Sequence, residues 1–193
     1  ISQMLSTITS RCTKIFFPKI KRELAFDYLK KEYEGLGEEL TLVSSIANGN
    51  MTSSLKMADE FKIIFSTFDK AIELLFGNDL NKWNNFSKKI KMSEIKYVLD
   101  LLIIFFSDII IYKEQQIKEQ LHFQNHLNQI IHLNQKYSLK NFQDLINTIN
   151  NTKQSITKNA FSPLLLTSLY IEINQTLENT TFNKTNFETL NFR

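Results

Sequence analysis

Residues 98–112 read Val-Leu-Asp-Leu-Leu-Ile-Ile-Phe-Phe-Ser-Asp-Ile-Ile-Ile-Tyr, which is the strongest apolar block in the chain. A helix that crosses a bilayer needs about 20 mostly apolar residues, whereas this block is shorter and contains Asp100 and Asp108. The two acids are eight residues apart, so they share one face of a helix whose other faces are apolar. The block therefore predicts the buried central helix of a bundle, with an acidic edge at solvent or near a basic partner and no membrane association.

Three helical patterns precede this block, and a short β-type run at residues 14–17, ended by Pro18, precedes them in turn. Glycines at positions 35, 37 and 49 separate the helices. The third pattern predicts one long helix, because its apolar residues recur every three or four positions from Leu55 to Leu75. The residues expected to face inward are Leu24, Ala25, Tyr28 and Leu29 in the first helix, Leu42, Val43, Ile46 and Ala47 in the second, and Leu55, Ala58, Phe61, Phe65, Phe68, Ile72 and Leu75 in the third.

The chain after the apolar block is rich in asparagine, especially between Gln124 and Asn159. Apolar residues continue through this stretch at helical spacing, so we predict solvated helices rather than disorder. A last helix is expected after Asn159, with Ser162 as its N-cap and Pro163 at its first position. The inward residues would be Leu127, Ile130, Ile131, Leu139, Phe142, Leu145, Ile146 and Ile149, then Leu165, Leu169 and Ile173.

Composition excludes several classes of site. The 193 residues carry a net charge of +3, which is too small to require a nucleic-acid partner, and the cluster Lys88-Lys89-Lys91 is typical of a solvated face. One cysteine cannot form an internal disulfide and fits a reduced, cytoplasmic setting. His122 and His126, with Glu119 one turn earlier, have metal-ligand spacing on a predicted helix but lack a third strong ligand. We therefore expect surface polar residues there and no metal site.

Residues 4–12 read Met-Leu-Ser-Thr-Ile-Thr-Ser-Arg-Cys. This run resembles the L-P-T-I-x-S-R-C segment of the clamp-loader subunits of bacterial DNA polymerase III. In that family the arginine is a finger that points at a nucleotide held by the neighbouring subunit, and the resemblance gives that role to Arg11, with Thr7, Ser10 and Cys12 completing the motif. A guanidinium suits the role because it stays charged and offers a planar fork of donors to a transferring phosphoryl group.

The resemblance also implies a domain organisation. Residues 1–17 would end an AAA+ ATPase domain with a short strand, residues 18–77 would form a small helical lid domain, and residues 78–193 would form a helical-bundle collar. The expected fold class is mainly α. Because the chain begins with Ile1 rather than Met, we expect a fragment, with any nucleotide-binding core lying upstream. Residues 159–171 resemble the C-terminal end of the collar domain of delta-prime subunits.

One departure from the family pattern indicates a subunit that does not hydrolyse ATP itself. ATP-binding members carry G-x-x-x-R-A-L, whose sensor-2 arginine touches the phosphates of the subunit's own nucleotide. The matching residues 49–55 place Ser53 at that position, and a neutral hydroxyl cannot replace a fixed cation at a triphosphate. A shift of the alignment by a residue or two would instead bring Lys56 close. Delta-prime subunits commonly lack a working nucleotide site while they keep S-R-C.

The function implied by the resemblance is that of a cytoplasmic, delta-prime-like clamp-loader subunit, which helps to load the sliding clamp on primed DNA during replication. Such a subunit has no independent activity but belongs to a DNA-directed DNA polymerase (nucleotidyltransferase) holoenzyme and contributes in trans to ATP hydrolysis. The chain would bind no cofactor; ATP and Mg²⁺ would lie on the neighbouring subunit. Its partners would be the gamma/tau and delta subunits and, indirectly, the sliding clamp and primed DNA.

Two alternatives remain open from the sequence. The first is an ATP-hydrolysing, gamma-type relative, which an intact phosphate loop upstream would favour. The second is a helical protein-interaction scaffold with no ATP role, in which the Ser-Arg-Cys tripeptide is an accident of sequence.

Overall fold

The computed structural model describes residues 13, 20–47, 50–157 and 161–178 of the chain. These ranges are mainly α-helical and contain no β-strand, which confirms the mainly α prediction; the predicted strand at residues 14–17 lies outside them. No helix within the described ranges is long and apolar enough to span a bilayer. The helices are α1 Arg22–Glu32, α2 Leu40–Ala47, α3 Met51–Asp59, α4 Phe61–Phe76, α5 Leu80–Lys89, α6 Met92–Gln115, α7 Leu127–Lys136, α8 Leu139–Thr157 and α9 Ser162–Glu178, with 3₁₀ turns at Glu34–Glu39, Lys118–Gln120 and Gln124–His126.

Helix α6 contains the apolar block and is the centre of the molecule. It packs against α4, α7 and α8 along its length and meets α2 as well. Its buried residues include Leu101, Phe105, Phe106 and Ile109, all with essentially no exposed surface. The prediction of a buried central helix is therefore confirmed.

Of the two alternatives for the acidic edge of α6, exposure to solvent is wrong for Asp108, whose side chain is completely buried. Asp100 is only 13% exposed, and its carboxylate pairs with the ammonium group of Lys153 on α8. The two acids do share one face, but that face is covered by α8 and by the chain that follows α6. Periodicity showed the shared face and could not show what covers it, because the covering residues are far away in sequence.

Helices α1, α2 and α3 pack on one another, and α2 connects them to α6. Helix α3 begins at a side-chain cap, since Asn50 Oδ1 accepts a hydrogen bond of 3.1 Å from the backbone N–H of Ser53. On α1 the predicted stripe is half wrong. Ala25 and Leu29 are buried, whereas Leu24 and Tyr28 are exposed, so only one side of the stripe contacts the core.

The predicted long helix from Leu55 to Leu75 is divided at Glu60. That residue has φ −99° and ψ 7°, outside the helical range, so α3 ends before it and α4 begins after it. Buried residues continue across the joint at helical spacing, including Met57, Phe61 and Ile64, so periodicity alone does not reveal the break. Helix α4 then packs mainly against α6 and α5.

Helices α7 and α8 confirm the helical interpretation of the asparagine-rich region as far as it is described, and α9 confirms the helix expected after Asn159. Their buried side chains include Ile130 on α7, Phe142, Leu145 and Ile149 on α8, and Leu169 and Ile173 on α9. The predicted N-cap at Ser162 is displaced by one residue, because α9 begins at Ser162 and the carbonyl of Phe161 accepts the hydrogen bond from Leu165 N.

Candidate functional site

The arginine-finger motif lies outside the described residues, so its geometry stays a prediction. This applies to Thr7, Ser10, Arg11 and Cys12 alike. Ser53 is described and lies in the first turn of α3, half-buried, with its backbone N–H already bound to the Asn50 cap. Lys56, the residue that a shifted alignment would favour, is exposed on the same helix.

The polar cluster that sequence reasoning missed is centred on Asp108. Its Oδ1 lies 3.0 Å from His122 Nδ1, and its Oδ2 accepts a hydrogen bond of 2.8 Å from the backbone N–H of Phe123. Both carboxylate oxygens are therefore used, which offsets the cost of burying the group. The contacts tie the segment after α6 back onto that helix.

A second aspartate–histidine pair lies on the same segment. His126 Nε2 is 3.0 Å from Asp69 Oδ1 on α4, and the side chain of His126 is only 13% exposed. The imidazole packs edge-on against aromatic rings whose centroids are 5.7 to 6.2 Å away, namely Phe65, Phe68, Phe105 and Phe123. Its Nδ1 is buried without a hydrogen-bond partner among the described residues.

The prediction of surface histidines on a helix is thus wrong for this segment. His122 lies in a loop and His126 in a 3₁₀ turn, so their spacing of four does not put them on one helical face. Each imidazole faces its own aspartate. No group of three potential metal-ligating side chains occurs in the described part of the chain. The two pairs act structurally, because they fix the loop between α6 and α7 over the aromatic core.

The same loop borders an open cleft of about 430 Å³, whose other wall comes from Glu39, Thr41 and Leu42 at the start of α2. A second cleft of about 610 Å³ lies between the ends of α4 and α9 and helix α7. Its apolar residues include Phe76 and Leu177, and its rim includes His132. Glu119, His122 and His126, whose spacing suggested metal ligands, line the first cleft, whereas Ser53 lines neither of the two.

Burial also perturbs two acidic groups near α6. Desolvation raises the pKa of the Asp100 carboxyl, and the neighbouring ammonium group of Lys153 opposes that shift. Desolvation likewise raises the pKa of the Tyr97 phenol, assisted by the charges of Glu60 and Asp100. The raised pKa of Asp100 shows that desolvation outweighs the attraction of its partner. This pair is therefore a weak source of stability.

Compared with models of known protein families and with curated proteins, the chain matches none.

Proposed function

We propose that the chain is a clamp-loader subunit of the delta-prime type, which assists loading of a sliding clamp on primed DNA. The observation that carries the proposal is the run at residues 5–12, Leu-Ser-Thr-Ile-Thr-Ser-Arg-Cys. Within the described ranges, residues 18–77, the proposed lid, contain four helices, α1 to α4, and residues 78–193, the proposed collar, contain α5 to α9.

In this proposal Arg11 acts on the ATP of a neighbouring subunit. Its guanidinium would stabilise the charge that develops on the transferring phosphoryl group, a contribution that can reach about 10³-fold or more in related systems. Ser53 supports the non-hydrolysing assignment, because a hydroxyl at the sensor-2 position supplies no positive charge. The nucleotide and Mg²⁺ would both be held by the neighbour.

Assembly through the collar is the second part of the proposal: residues 78–193 would pack against the collar domains of the other clamp-loader subunits, which together form a ring. The test mixes the chain with gamma and delta subunits from the same source and measures mass by size exclusion with light scattering. We expect a stable complex that contains one copy of this chain. A folded, helical chain that ignores both subunits would remove the proposal and favour the interaction scaffold.

The finger is tested separately in the assembled complex. Arg11→Ala should leave the complex intact and lower its ATPase rate by about 10²-fold or more. Lys30→Ala, which removes an exposed cation from α1, is the control and should leave the rate unchanged. Wild-type turnover in the Arg11 variant would refute the finger assignment without affecting the assembly result.

A further inference from the structure

Helix α9 has apolar residues on two opposite faces. Its inner face buries Leu166, Leu169, Tyr170, Ile173 and Leu177 against the rest of the bundle. Its outer face carries Leu164 and Ile171, and Phe161 directly precedes the helix; these side chains are 66%, 41% and 71% exposed, respectively. Positions 161, 164 and 171 lie within about 80° of one another when the repeat of 3.6 residues per turn is continued back to Phe161. This set, in which the exposed Ser168 separates Leu164 from Ile171, is here called the α9 outer stripe.

Single exposed apolar residues are common on protein surfaces, but a contiguous group with a polar rim marks an interaction site. Met92, which is 52% exposed, adjoins the start of α9, because its sulfur lies 3.2 Å from the hydroxyl of Ser162. The end of α5 lies beside the stripe, because Thr167, three residues after Leu164, donates a hydrogen bond of 2.8 Å to Oδ1 of Asn84, four residues before Lys88.

The rim of this surface is basic at the Met92 end. Lys88 and Lys89 end α5, Lys91 directly precedes Met92, and Lys96 lies one helical turn beyond Met92 on α6; all four are exposed. The acidic group among them, Glu94, is nearly buried and its carboxylate lies 3.5 Å from the ammonium group of Lys91. At the other end, Glu172 is exposed beside Ile171 and accepts a hydrogen bond of 3.0 Å from the Ser168 hydroxyl. The excess of positive charge therefore lies at the Met92 end of the surface.

We propose that the α9 outer stripe and Met92 form a docking surface for an amphipathic helix of a protein partner that carries acidic residues. The stripe spans about 15 Å from Phe161 to Ile171, at about 1.5 Å per residue, which matches roughly three turns of a partner helix. Apolar side chains of that helix pack on the stripe, and its carboxylates face Lys88, Lys89, Lys91 and Lys96. The positive charge of the lysines favours an acidic partner over a basic one and increases its association rate.

A labelled model peptide tests this proposal with the full chain. The probe is a helical peptide of about 14 residues, with leucines on one face and glutamates flanking them, and binding is followed by fluorescence anisotropy. A second peptide keeps the leucines and replaces every glutamate by lysine. We expect the acidic peptide to bind more tightly by about tenfold or more, and its affinity to fall as salt is added.

Variants of the chain locate the site. Phe161→Ser combined with Leu164→Ser removes the apolar anchors, and Lys88→Glu combined with Lys89→Glu reverses the rim charge. Each pair should weaken binding of the acidic peptide by about tenfold. The matched controls are Ile63→Ser, a substitution of an apolar residue 53% exposed on α4, and Lys62→Glu. Neither control should change the affinity, and circular dichroism should show the same helix content in every variant.

Several outcomes overturn the proposal. Equal binding of both peptides, or unchanged binding in the stripe and lysine variants, removes it directly. A dimer in light scattering that Leu164→Ser dissociates assigns the stripe to a second copy of the chain. Sedimentation with phosphatidylserine vesicles, in the absence of peptide binding, assigns it to a membrane surface. Binding only after deletion of residues 179–193 assigns it to the chain's own terminal segment.

This inference is independent of the clamp-loader proposal. That proposal rests on the run at residues 5–12 and on assembly with gamma and delta subunits, whereas the docking surface rests on α9 and its neighbours. Loss of peptide binding with intact loader assembly, or the reverse, tells the two apart.

Discussion

Asp108 is buried against apolar side chains, yet both of its carboxylate oxygens have donors. One oxygen faces His122 Nδ1 and the other accepts the backbone N–H of Phe123. The ring of Phe123 in turn packs against Phe68 at a centroid distance of 4.9 Å. One carboxylate therefore holds a whole loop over the aromatic core.

Removal of that carboxylate should be costly. Asp108→Ala leaves the N–H of Phe123 buried and unpaired, and we expect a loss of about 3 kcal/mol in the free energy of unfolding, measured by urea titration. Asp108→Asn keeps one acceptor oxygen and should cost about half as much. Asp144→Ala, at an exposed position on α8, should stay within about 0.5 kcal/mol. Equal losses at positions 108 and 144 would contradict the anchoring role.

Asp100 should make folding stability depend on pH in a predictable direction. Burial raises its pKa in the folded chain, so the unfolded chain loses the proton first as pH rises. Its contribution to stability is therefore fully present below the unfolded pKa of about 3.9 and falls as pH rises through the folded value. Asp100→Asn removes this dependence, so the variant should gain stability relative to wild type between pH 3.5 and pH 7.

Thermal unfolding of wild type and of Asp100→Asn is measured at pH 3.5 and at pH 7. Because both proteins contain the same other titrating groups, the contribution of those groups cancels in the difference. Lys153 can be rehydrated in the variant, because its side chain is already 28% exposed. A variant that loses stability relative to wild type as pH rises would show that the attraction of Lys153 outweighs desolvation.

At the scale of elements, side chains form hydrogen bonds with backbone groups at the ends of several helices. Asp79 Oδ1 accepts a hydrogen bond of 3.0 Å from Lys82 N at the start of α5, and this bond is the main cause of the lowered pKa of Asp79. At the end of α7, Lys113 Nζ donates to the carbonyl oxygens of Asn134 and Tyr137 at 2.6 and 3.0 Å. Such side chains satisfy groups that a helix terminus leaves unpaired.

The end of α6 offers a direct test of backbone conformation. Gln116 has φ 55° and lies in the left-handed region, where a side chain costs about 1 kcal/mol that glycine avoids. Gln116→Gly should therefore raise the free energy of unfolding by up to about 1 kcal/mol. Gln115→Gly, one residue earlier and inside the helix, should lower it by about the same amount. Chemical denaturation measures the free energy of unfolding of both variants. If both substitutions raised it, or both lowered it, the left-handed conformation of Gln116 would not be the cause.

At the scale of the molecule, the buried side chains form one continuous core that extends from Leu29 to Leu177. Helix α4 is central to it, since Phe68 and Ile72 are buried where α4 meets α6. The predicted boundary between residues 77 and 78 separates α4 from the helices that cover it. The division into a lid of residues 18–77 and a collar of residues 78–193 stays a prediction, and the packing of α4 against α6 indicates how to test it.

Two fragments make that test. Residues 61–193 retain α4 and should unfold cooperatively, whereas residues 78–193 lose it and should show no cooperative thermal transition, because the α6 face that contacts Phe68 becomes exposed. Circular dichroism and the fluorescence of the single tryptophan, Trp83, report the transitions. Trp83 is buried and donates to the Leu166 carbonyl at 2.7 Å, so it reports the contact between α5 and α9. A cooperative transition in the shorter fragment would support the boundary at residue 78.

The amino-acid pattern was sufficient for many of the helices and most of the core, although it missed the break at Glu60 and the loop that holds His122. Apolar spacing identified α6 as buried and recognised α7 and α8 in an asparagine-rich region, because a repeat of 3.6 residues is a local property of the chain. It also supplied the resemblance at residues 5–12, which lies outside the described residues. The candidate docking surface was visible only in part, as a lysine cluster at residues 88–91.

The remaining features depend on contacts between residues far apart in the sequence. The sequence places Asp108 on one face of a helix but does not show that the loop with His122 and Phe123 covers that face, because this is a tertiary contact. Leu24 and Leu164 have the same apolar character as their buried neighbours, and only the packing of α1 and α9 leaves them exposed. Local spacing therefore fixes which residues share a face, whereas the arrangement of helices in space fixes which faces are covered.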